Sequence, residues 1–380
     1  MNDRRLRTDM AARVCAAVLC ACVAVAFSGC KKDPVELAWT FAGGAPIYST
    51  PAVTKDMLVF GNEDGAVTAI DKNTAVYKWR FNSSMNVIAS PKFYRDKFYF
   101  GSINYTFYAI DSQGREQWKF ATKKPIKSDP VIENGIVYFT SYDGHIYALN
   151  GETRETVWVF PPKPEPVPAP AEGAEPPPPA EPPLVVGEFS YSSPVTAGGV
   201  LYVGNLDHHL YAVNTADGKL KWKFKTDDGV TSSPAVEDGI VYVGSNDGNI
   251  YAIDATTGNK VWAYKTGEWV NSSPRVSDGV VYCGSNDKNL YALDAKTGAL
   301  KGKFATAGPI VAYPAFFKNY VITAGGQGDG TVYVLDRATL QPIYKFKTAG
   351  KIEADPVVDG NMLYVASFDK MLYAFKFNEK

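Results

Sequence analysis

Histidine is scarce in this 380-residue chain, and its scarcity limits the metal chemistry that the chain can support. The three histidines are His145, His208 and His209. His145 and His209 stand at equivalent positions of two neighbouring repeats. Side chains so placed diverge by more than the ~4 Å that two ligands of one metal ion span. The sequence therefore favours surface turn residues and predicts no metal site.

Cysteine is also rare, and its placement excludes a disulfide framework. Three of the five cysteines lie in the N-terminal apolar segment, and a fourth, Cys30, directly follows it. The fifth, Cys283, has no intramolecular partner. Two sister repeats carry Val203 and Val243 at its position, so we expect Cys283 to fill the core.

The chain has no excess of either charge. Without residues 1–29, which hold four Arg and two Asp, 35 basic and 38 acidic residues remain. A domain that binds nucleic acid through its phosphates normally carries a basic patch or a basic net charge. The balance of charge therefore predicts no nucleic-acid partner.

No apolar run is long enough to span a bilayer, but the N-terminal one has the length of a signal peptide. Four arginines precede it, and from Val14 to Phe27 every residue is apolar or small. The following Phe27-Ser28-Gly29-Cys30 resembles the lipobox of bacterial lipoproteins, although an aliphatic residue is usual at the position of Phe27. We expect residues 1–29 to be a cleaved lipoprotein signal peptide, Cys30 to be lipidated and residues 30–35 to form a tether. Ordinary secretion with cleavage near Gly29, or an uncleaved anchor, are the alternatives.

The position after the lipidated cysteine bears on the membrane to which such a protein is sorted. In the enteric sorting rule, Asp at that position keeps a lipoprotein on the inner membrane, and here the residue is Lys31. The rule varies between bacterial groups. The sequence favours a lipid-anchored protein on the periplasmic face of the outer membrane, and the inner membrane stays open as the alternative.

The rest of the chain, residues 36–380, consists of repeats about 40 residues long. Each repeat opens on a proline, and only one step between these prolines is much longer than 40 residues. Such self-similarity is typical of solenoids and propellers. The eight prolines are Pro51, Pro91, Pro130, Pro194, Pro234, Pro274, Pro314 and Pro356.

Each repeat reads as four short antiparallel strands, here named A to D in chain order. Asp238-Gly239 and Asp247-Gly248 separate apolar runs, and Asp-Gly is a strong hairpin signal because glycine accepts positive φ. The strands are apolar on both faces, so each sheet must be covered on both sides. Sheets that pack face to face around an axis achieve this, which predicts an all-β, eight-bladed propeller.

The two ends of the chain predict how the ring closes. Residues 37–41 read as a D strand with no A, B or C strand before it, and Met371 to Phe377 read as a C strand with no D strand after it. We therefore expect the N-terminal strand to complete the last blade. Tryptophans recur in strand D, where a large ring can pack between blades: Trp79, Trp118, Trp158, Trp222 and Trp262.

A proline-rich insertion, residues 161–183, interrupts the propeller between strand D of blade 3 and strand A of blade 4. Proline favours extended polyproline II conformations and cannot donate to a sheet, so the segment reads as a loop. Successive strands run in opposite directions, so D–A connections lie on the same face of the propeller as the B–C turns. The insertion is a D–A connection and therefore leaves the propeller on that face. It is either a tolerated surface insertion or a segment that binds a partner or spans the cell wall.

Repeated polar motifs are structural by default, because an active site is needed only once. Ser-Ser-Pro recurs before three A strands, and an aspartate ends strand C in five repeats, where it is expected to cap the C–D turn. The glycine-rich run 325–330 is expected to be a longer B–C loop, because it lacks the spacing of a phosphate-binding loop and opens no helix. None of these patterns indicates a catalytic group.

The repeat Tyr-Ala-Ile-Asp-x-x-Thr-Gly-x-x-x-Trp, at Tyr251 to Trp262, resembles the PQQ-like propeller repeat, and the resemblance covers all eight blades. No Trp-Asp dipeptide occurs, which argues against a WD40 array. The repeat is found in quinoprotein dehydrogenases, which bind pyrroloquinoline quinone and calcium, and in the BamB family of lipoproteins. The chain is similar to the second group. It has a lipoprotein start, and it lacks an adjacent cysteine pair, a Cys-x-x-Cys-His motif and the extra length of the enzymes.

This resemblance implies a non-enzymatic scaffold without cofactor that assists the assembly of outer-membrane β-barrel proteins. Its implied partners are envelope proteins, among them the outer-membrane barrel-assembly channel, and the membrane through the lipid anchor. The partner-binding residues are not identified by any match. A propeller that binds another envelope protein or a cell-wall polymer is the alternative, and a PQQ-dependent oxidoreductase is a further one.

Overall fold

The computed structural model describes residues 33–162 and 186–378, and all the regular elements in these ranges are β-strands. They form eight four-stranded antiparallel sheets, which are the blades of an eight-bladed propeller. The predicted fold is therefore confirmed. A search of the described residues for a helix long and apolar enough to cross a bilayer finds none.

Within each of blades 1 to 7, the strands pair in chain order, A-B-C-D. Blade 1 has β2 (Ala52–Val53), β3 (Met57–Gly61), β4 (Ala66–Asp71) and β5 (Tyr77–Asn82). Blade 2 has β6 (Lys92–Tyr94), β7 (Lys97–Gly101), β8 (Thr106–Asp111) and β9 (Glu116–Ala121), and blade 3 has β10 (Val131–Glu133), β11 (Ile136–Ser141), β12 (His145–Asn150) and β13 (Thr156–Phe160). Blade 4 has β14 (Val195–Ala197), β15 (Val200–Asn205), β16 (His209–Asn214) and β17 (Leu220–Lys225).

The second half of the ring repeats this arrangement. Blade 5 has β18 (Ala235–Glu237), β19 (Ile240–Gly244), β20 (Asn249–Asp254) and β21 (Lys260–Lys265); blade 6 has β22 (Arg275–Ser277), β23 (Val280–Gly284), β24 (Asn289–Asp294) and β25 (Leu300–Ala305); blade 7 has β26 (Ala315–Phe317), β27 (Tyr320–Ala324), β28 (Thr331–Asp336) and β29 (Pro342–Lys347); blade 8 has β30 (Val357–Asp359), β31 (Met362–Ala366), β32 (Met371–Phe377) and, as its D strand, β1 (Val35–Ala42).

Closure of the ring by the N-terminal strand is confirmed. β1 pairs antiparallel with β32 in a register that runs from Val35 opposite Phe377 to Ala42 opposite Met371. Both ends of the chain thus contribute to one sheet. The edge of β32 is covered by the first strand of the same chain, which removes a free edge inside the ring.

The core consists of layers between neighbouring blades, as the apolar B and C strands predict. In β3 and β31, for example, Leu58, Phe60, Tyr364 and Ala366 belong to one buried cluster that joins blades 1 and 8. The D-strand tryptophans of blades 1 to 5 fix these layers further, because each of their indole Nε1 groups donates to a backbone carbonyl of the next blade. The acceptor carbonyls belong to Ser112, Gly151, Thr215, Ala255 and Ala295, at 2.8–3.0 Å.

The capping role of the aspartates at the end of strand C is confirmed. Asp254 Oδ1 accepts hydrogen bonds from the backbone N–H groups of Thr256 and Thr257 at 3.0 and 2.7 Å. These bonds hold the C–D turn and lower the pKa of Asp254. The same pair of backbone donors recurs at Asp71, Asp294 and Asp336, and Asp111 accepts from Gln113 N and Arg115 N instead, so these carboxylates are structural groups of the repeat.

The structure shows where several residues and segments named in the sequence analysis lie. Cys283 is fully buried in the layer between blades 5 and 6 and is a free thiol, as expected of core filler. Residues 325–330 form the connection between β27 and β28, as predicted. The signal peptide, Cys30 and positions 163–185 of the insertion region lie outside the described residues, so their roles stay predictions.

Candidate functional site

The two faces of the disc differ in what they expose. One face carries the B–C loops and the connections from each D strand to the next A strand; the opposite face carries the A–B and C–D turns. We call the first the loop face and the second the turn face. Four large apolar side chains on the loop face are about half exposed: Met85, Tyr105, Tyr191 and Trp269. Exposed aromatic side chains of this size indicate a surface that contacts other molecules.

The residue before each A-strand proline lies at the axis of the ring. There, a side-chain oxygen accepts a hydrogen bond from the backbone N–H of the same position in the preceding blade. Ser193 N donates to Ser233 Oγ, and Ser233 N donates to Ser273 Oγ, both at 2.8 Å. We call this arrangement the axial ring. Its members are Thr50, Ser90, Asp129, Ser193, Ser233, Ser273, Tyr313 and Asp355.

The axial ring is interrupted at one place. Between Ser273 and Tyr313 no such bond forms among the described residues, because a tyrosine carries its hydroxyl at the far end of its ring. Tyr313 N keeps its bond to the next blade, to Asp355 Oδ1 at 3.0 Å, and Asp355 Oδ2 also accepts from Thr50 Oγ1 at 2.8 Å. The guanidinium of Arg275 lies 4.5 Å from the centre of the Tyr313 ring. Blade 7 thus departs from the repeat at the channel axis.

The axial ring separates two cavities in the central channel. The cavity on the loop-face side has a volume of about 430 Å³, and the cavity on the turn-face side has about 400 Å³. Both are lined by Asp129, Tyr313 and three of the ring serines. The first, here called the mouth cavity, lies within the size range of small-molecule sites, roughly 300–1,000 Å³.

Two lysines at the mouth cavity are held by aromatic rings: Lys127 lines the cavity, and Lys351 lies beside it, paired with the lining residue Glu353. Lys127 Nζ lies 4.6 and 4.7 Å from the ring centres of Tyr142 and Tyr191 and donates to both hydroxyls, at 3.1 and 3.3 Å. Lys351 Nζ lies 4.0 Å from the ring centre of Phe368. Such cation–π contacts fix the ammonium groups and leave them less available to a ligand.

The floor of the mouth cavity is acidic. Loss of hydration raises the pKa of Asp355 from 3.8 to about 6, and the nearby charge of Asp129 adds to the rise. Burial also raises the pKa of the Tyr313 hydroxyl well above its ordinary value, with the Asp355 charge as the next cause. The charged groups that line the cavity are Lys127 and the three carboxylates of Asp129, Glu353 and Asp355, so their sum is negative.

This lining does not fit the calcium-bound quinone that the dehydrogenase branch of the repeat implies. Calcium takes six to eight oxygen ligands, several of them carboxylates. Here both oxygens of Asp355 accept hydrogen bonds, and Glu353 is paired with Lys351 at 2.7 Å. Among residues 33–162 and 186–378, no group of three or more His, Cys, Asp and Glu side chains is placed to hold a metal ion.

The structure does not bring the histidines together into a site. His145 and His209 are the first residues of β12 and β16, and each Nδ1 lies about 3 Å from a carbonyl two residues earlier, that of Asp143 or Asp207. His208 occupies the B–C turn with positive φ. These are local contacts of turn residues.

Sequence reasoning missed the axial ring and the mouth cavity. A signal was present, because the position before the proline is Ser, Thr or Asp in seven repeats and Tyr in one. The Ser-Ser-Pro pattern predicted a structural role for the second serine, and the bonds between blades explain that role. The exposure of Trp269, which lies in a D–A connection and not in strand D, was not predicted.

The sequence matches the family model of the outer membrane protein assembly factor BamB over residues 29–103, 88–175, 174–303 and 301–379. The BamB of Burkholderia pseudomallei (strain K96243) is 24% identical over 168 residues, which are 39% of this chain and 44% of that protein. The BamB of Bordetella pertussis (strain Tohama I) is 22% identical over 191 residues, 50% of this chain and 45% of that protein. The chain spans less than half the length of each of these relatives.

Two solved structures share the fold. The computationally designed Ika8 protein superposes with a TM-score of 0.74 and 18% identity, covering 88% of this chain and 97% of its own. BamB from Moraxella catarrhalis superposes with a TM-score of 0.72 and 16% identity, covering 91% of this chain and 98% of its own. At these identities the likeness concerns the fold alone.

Proposed function

Because the chain belongs to the family of the outer membrane protein assembly factor BamB, we propose that it assists the assembly of outer-membrane β-barrel proteins as a non-enzymatic scaffold. The observation that carries this proposal is the family match, which extends over residues 29–379 and thus through all eight blades. The mouth cavity supports a non-catalytic role, because its carboxylates accept hydrogen bonds or pair with lysine and its lining does not fit the quinone with calcium.

The loop face is the surface that we assign to partner contact. Its exposed Met85 and Tyr105 are residue types enriched in protein–protein interfaces. On the turn face, by contrast, the aspartate-capped C–D turns are local polar structures that fold back on their own backbone. A rigid disc that presents large exposed side chains on its loop face suits a scaffold, since the interface needs no rearrangement to bind.

Lipidation of Cys30 is part of the same proposal. The five residue-to-residue steps from Cys30 to Val35 span at most about 18 Å when fully extended. A lipid at Cys30 therefore keeps blade 8, which contains β1, within that distance of the membrane surface. We place the protein on the periplasmic face of the outer membrane, with envelope proteins as partners and the barrel-assembly channel as the first candidate.

Deletion of the gene tests the proposal directly. We expect lower levels of outer-membrane porins and a more permeable envelope, and the tagged protein, solubilised in detergent, should co-purify with the barrel-assembly channel. Unchanged porin levels and permeability in the deletion strain would refute the scaffold function.

A pair of variants tests the loop face. Met85→Glu combined with Tyr105→Glu places two charges on the loop face, and Val76→Glu places one charge on an exposed turn-face position. We expect the first to fail, and the second to succeed, in restoring porin levels to the deletion strain. If both variants restore them equally while remaining folded and membrane-bound, the loop face is not the contact surface.

A further inference from the structure

We propose that the mouth cavity is a binding site for a neutral saccharide of one or two sugar units, held by Trp269, Tyr191, Asn246 and Asn271. The site lies on the channel side of the loop face and does not depend on the assembly function. Four observations support it: exposed aromatic rings at the rim, free amide donors beside them, a lining without an available cation, and a volume that suits a small ligand.

The aromatic rim is the first observation. The side chain of Trp269 is 52% exposed and that of Tyr191 is 50% exposed, and both line the cavity. An exposed indole at the edge of a pocket leaves a large apolar surface in water. A sugar ring presents C–H groups on its faces and hydroxyls around its edge, so it covers an aromatic face and keeps its polar groups in contact with polar partners.

The free amides are the second observation. Thr231 Oγ1 lies 2.9 Å from Asn246 Oδ1 and 3.3 Å from Asn271 Oδ1, and its single proton can satisfy one of these acceptors. Neither Nδ2 group donates to another described residue. Both amides line the cavity beside Trp269. An amide offers two donors and one acceptor, which matches hydroxyl groups that both donate and accept.

Charge argues against an ionic ligand. Lys127 is held between two tyrosine rings and donates to their hydroxyls, so no free cation lines the cavity to bind an anion. The carboxylates of Asp129, Glu353 and Asp355 balance the lysines beside them, so the cavity offers an anion no net positive charge. These carboxylates already accept hydrogen bonds or pair with lysine, so they do not require a cationic ligand either. A neutral, hydroxyl-rich molecule remains as the best match.

Volume sets the size of the ligand. About 430 Å³ lies near the lower end of the range for small-molecule sites, roughly 300–1,000 Å³. The axial ring lies below the cavity and contributes Tyr313 and four serines to its lining, so a longer oligosaccharide would extend out of the mouth. The site therefore fits the end of a glycan chain or a free disaccharide.

The probes are maltose and chitobiose, titrated into the mature protein and followed by intrinsic tryptophan fluorescence and by calorimetry. We expect saturable binding of at least one of them, with a dissociation constant in the micromolar to millimolar range. Glucuronic acid, an anionic monosaccharide, should bind at least tenfold more weakly than glucose. Absence of saturable binding of both disaccharides up to about 10 mM would overturn the proposal.

Matched variants test the site itself. Trp269→Ala and Tyr191→Ala should each weaken binding of the better probe at least tenfold, and Trp269→Phe should keep most of the affinity but lose the fluorescence change. Tyr77→Ala, which removes a 55% exposed tyrosine from the outer strand of blade 1, should leave binding within twofold. Equal losses from Tyr77→Ala and Tyr191→Ala, or no loss from Trp269→Ala, would refute the assignment.

Discussion

One tryptophan of the ring should respond to substitution unlike its counterparts. Trp39 of β1 and Trp222 of β17 are equivalent D-strand residues, and each packs against a tyrosine, with ring centres 5.9 and 5.7 Å apart. Trp222 Nε1 donates to Ala255 O at 3.0 Å. Trp39 Nε1 is buried without a hydrogen-bond partner among the described residues. Comparing the same substitution at these two positions therefore separates the free energy of the hydrogen bond from that of the packing.

The two substitutions Trp39→Phe and Trp222→Phe remove the same indole atoms, so the loss of packing is similar in both. At Trp222 the change also removes a hydrogen bond worth about 1 kcal/mol. At Trp39 it removes an unsatisfied buried donor, whose desolvation costs the folded state about 1–3 kcal/mol. We therefore expect Trp222→Phe to lower the free energy of unfolding by about 2–4 kcal/mol more than Trp39→Phe does.

Urea unfolding of the two variants and the wild type measures this difference, with equal m-values required for the comparison. Tyr202 OH also donates to Ala255 O, at 3.3 Å, so this carbonyl keeps a partner in Trp222→Phe. The cost at that position is thus the lost bond and not an orphaned acceptor. Equal destabilisation by the two substitutions, within about 0.5 kcal/mol, would refute the reasoning.

Three further outcomes follow from the structure. Ser233→Ala removes the acceptor of Ser193 N in the axial ring and should cost about 1–3 kcal/mol in urea unfolding. The folded-state pKa of Asp355 is raised to about 6 from 3.8. Its contribution to the free energy of unfolding is therefore full below about pH 4 and is lost as the pH rises through 6. Asp355→Asn should flatten that part of the profile of stability against pH. Cys30→Ala should move the protein from the membrane fraction to the soluble periplasmic fraction, as immunoblots of the two fractions will reveal.

The fold could be predicted because each blade repeats the same local signals. Asp238-Gly239 and Asp247-Gly248 fix hairpins through backbone conformation alone. Because each repeat of about 40 residues forms one blade, the number of repeats gives the number of blades. Closure could be predicted from residues 37–41, since a D strand without its own blade must complete another one. These inferences need only local pattern and the requirement that both faces of each sheet be covered.

The candidate site could not be predicted in the same way, because its residues meet only when the ring closes. Asp355 and Thr50, for example, are 305 positions apart and contact each other at the junction of the last and first blades. The free amides beside Trp269 come from a B–C loop and a D–A connection that no local pattern joins. The pKa of Asp355 likewise depends on burial and on Asp129, which is set by the shape of the whole channel.

A repeat protein shows its function best where the repeat is broken. The residues that recur in several blades, such as the turn aspartates and the ring serines, are explained by bonds that hold turns and neighbouring blades together. Tyr313 breaks the axial ring, and Trp269 places a large ring where the equivalent positions in four other repeats are Pro46, Pro125, Gly229 and Pro309. Neither departure improves the bonds between blades, and an exposed indole is unfavourable in water. Both residues line the same cavity, which favours a ligand as the reason for them.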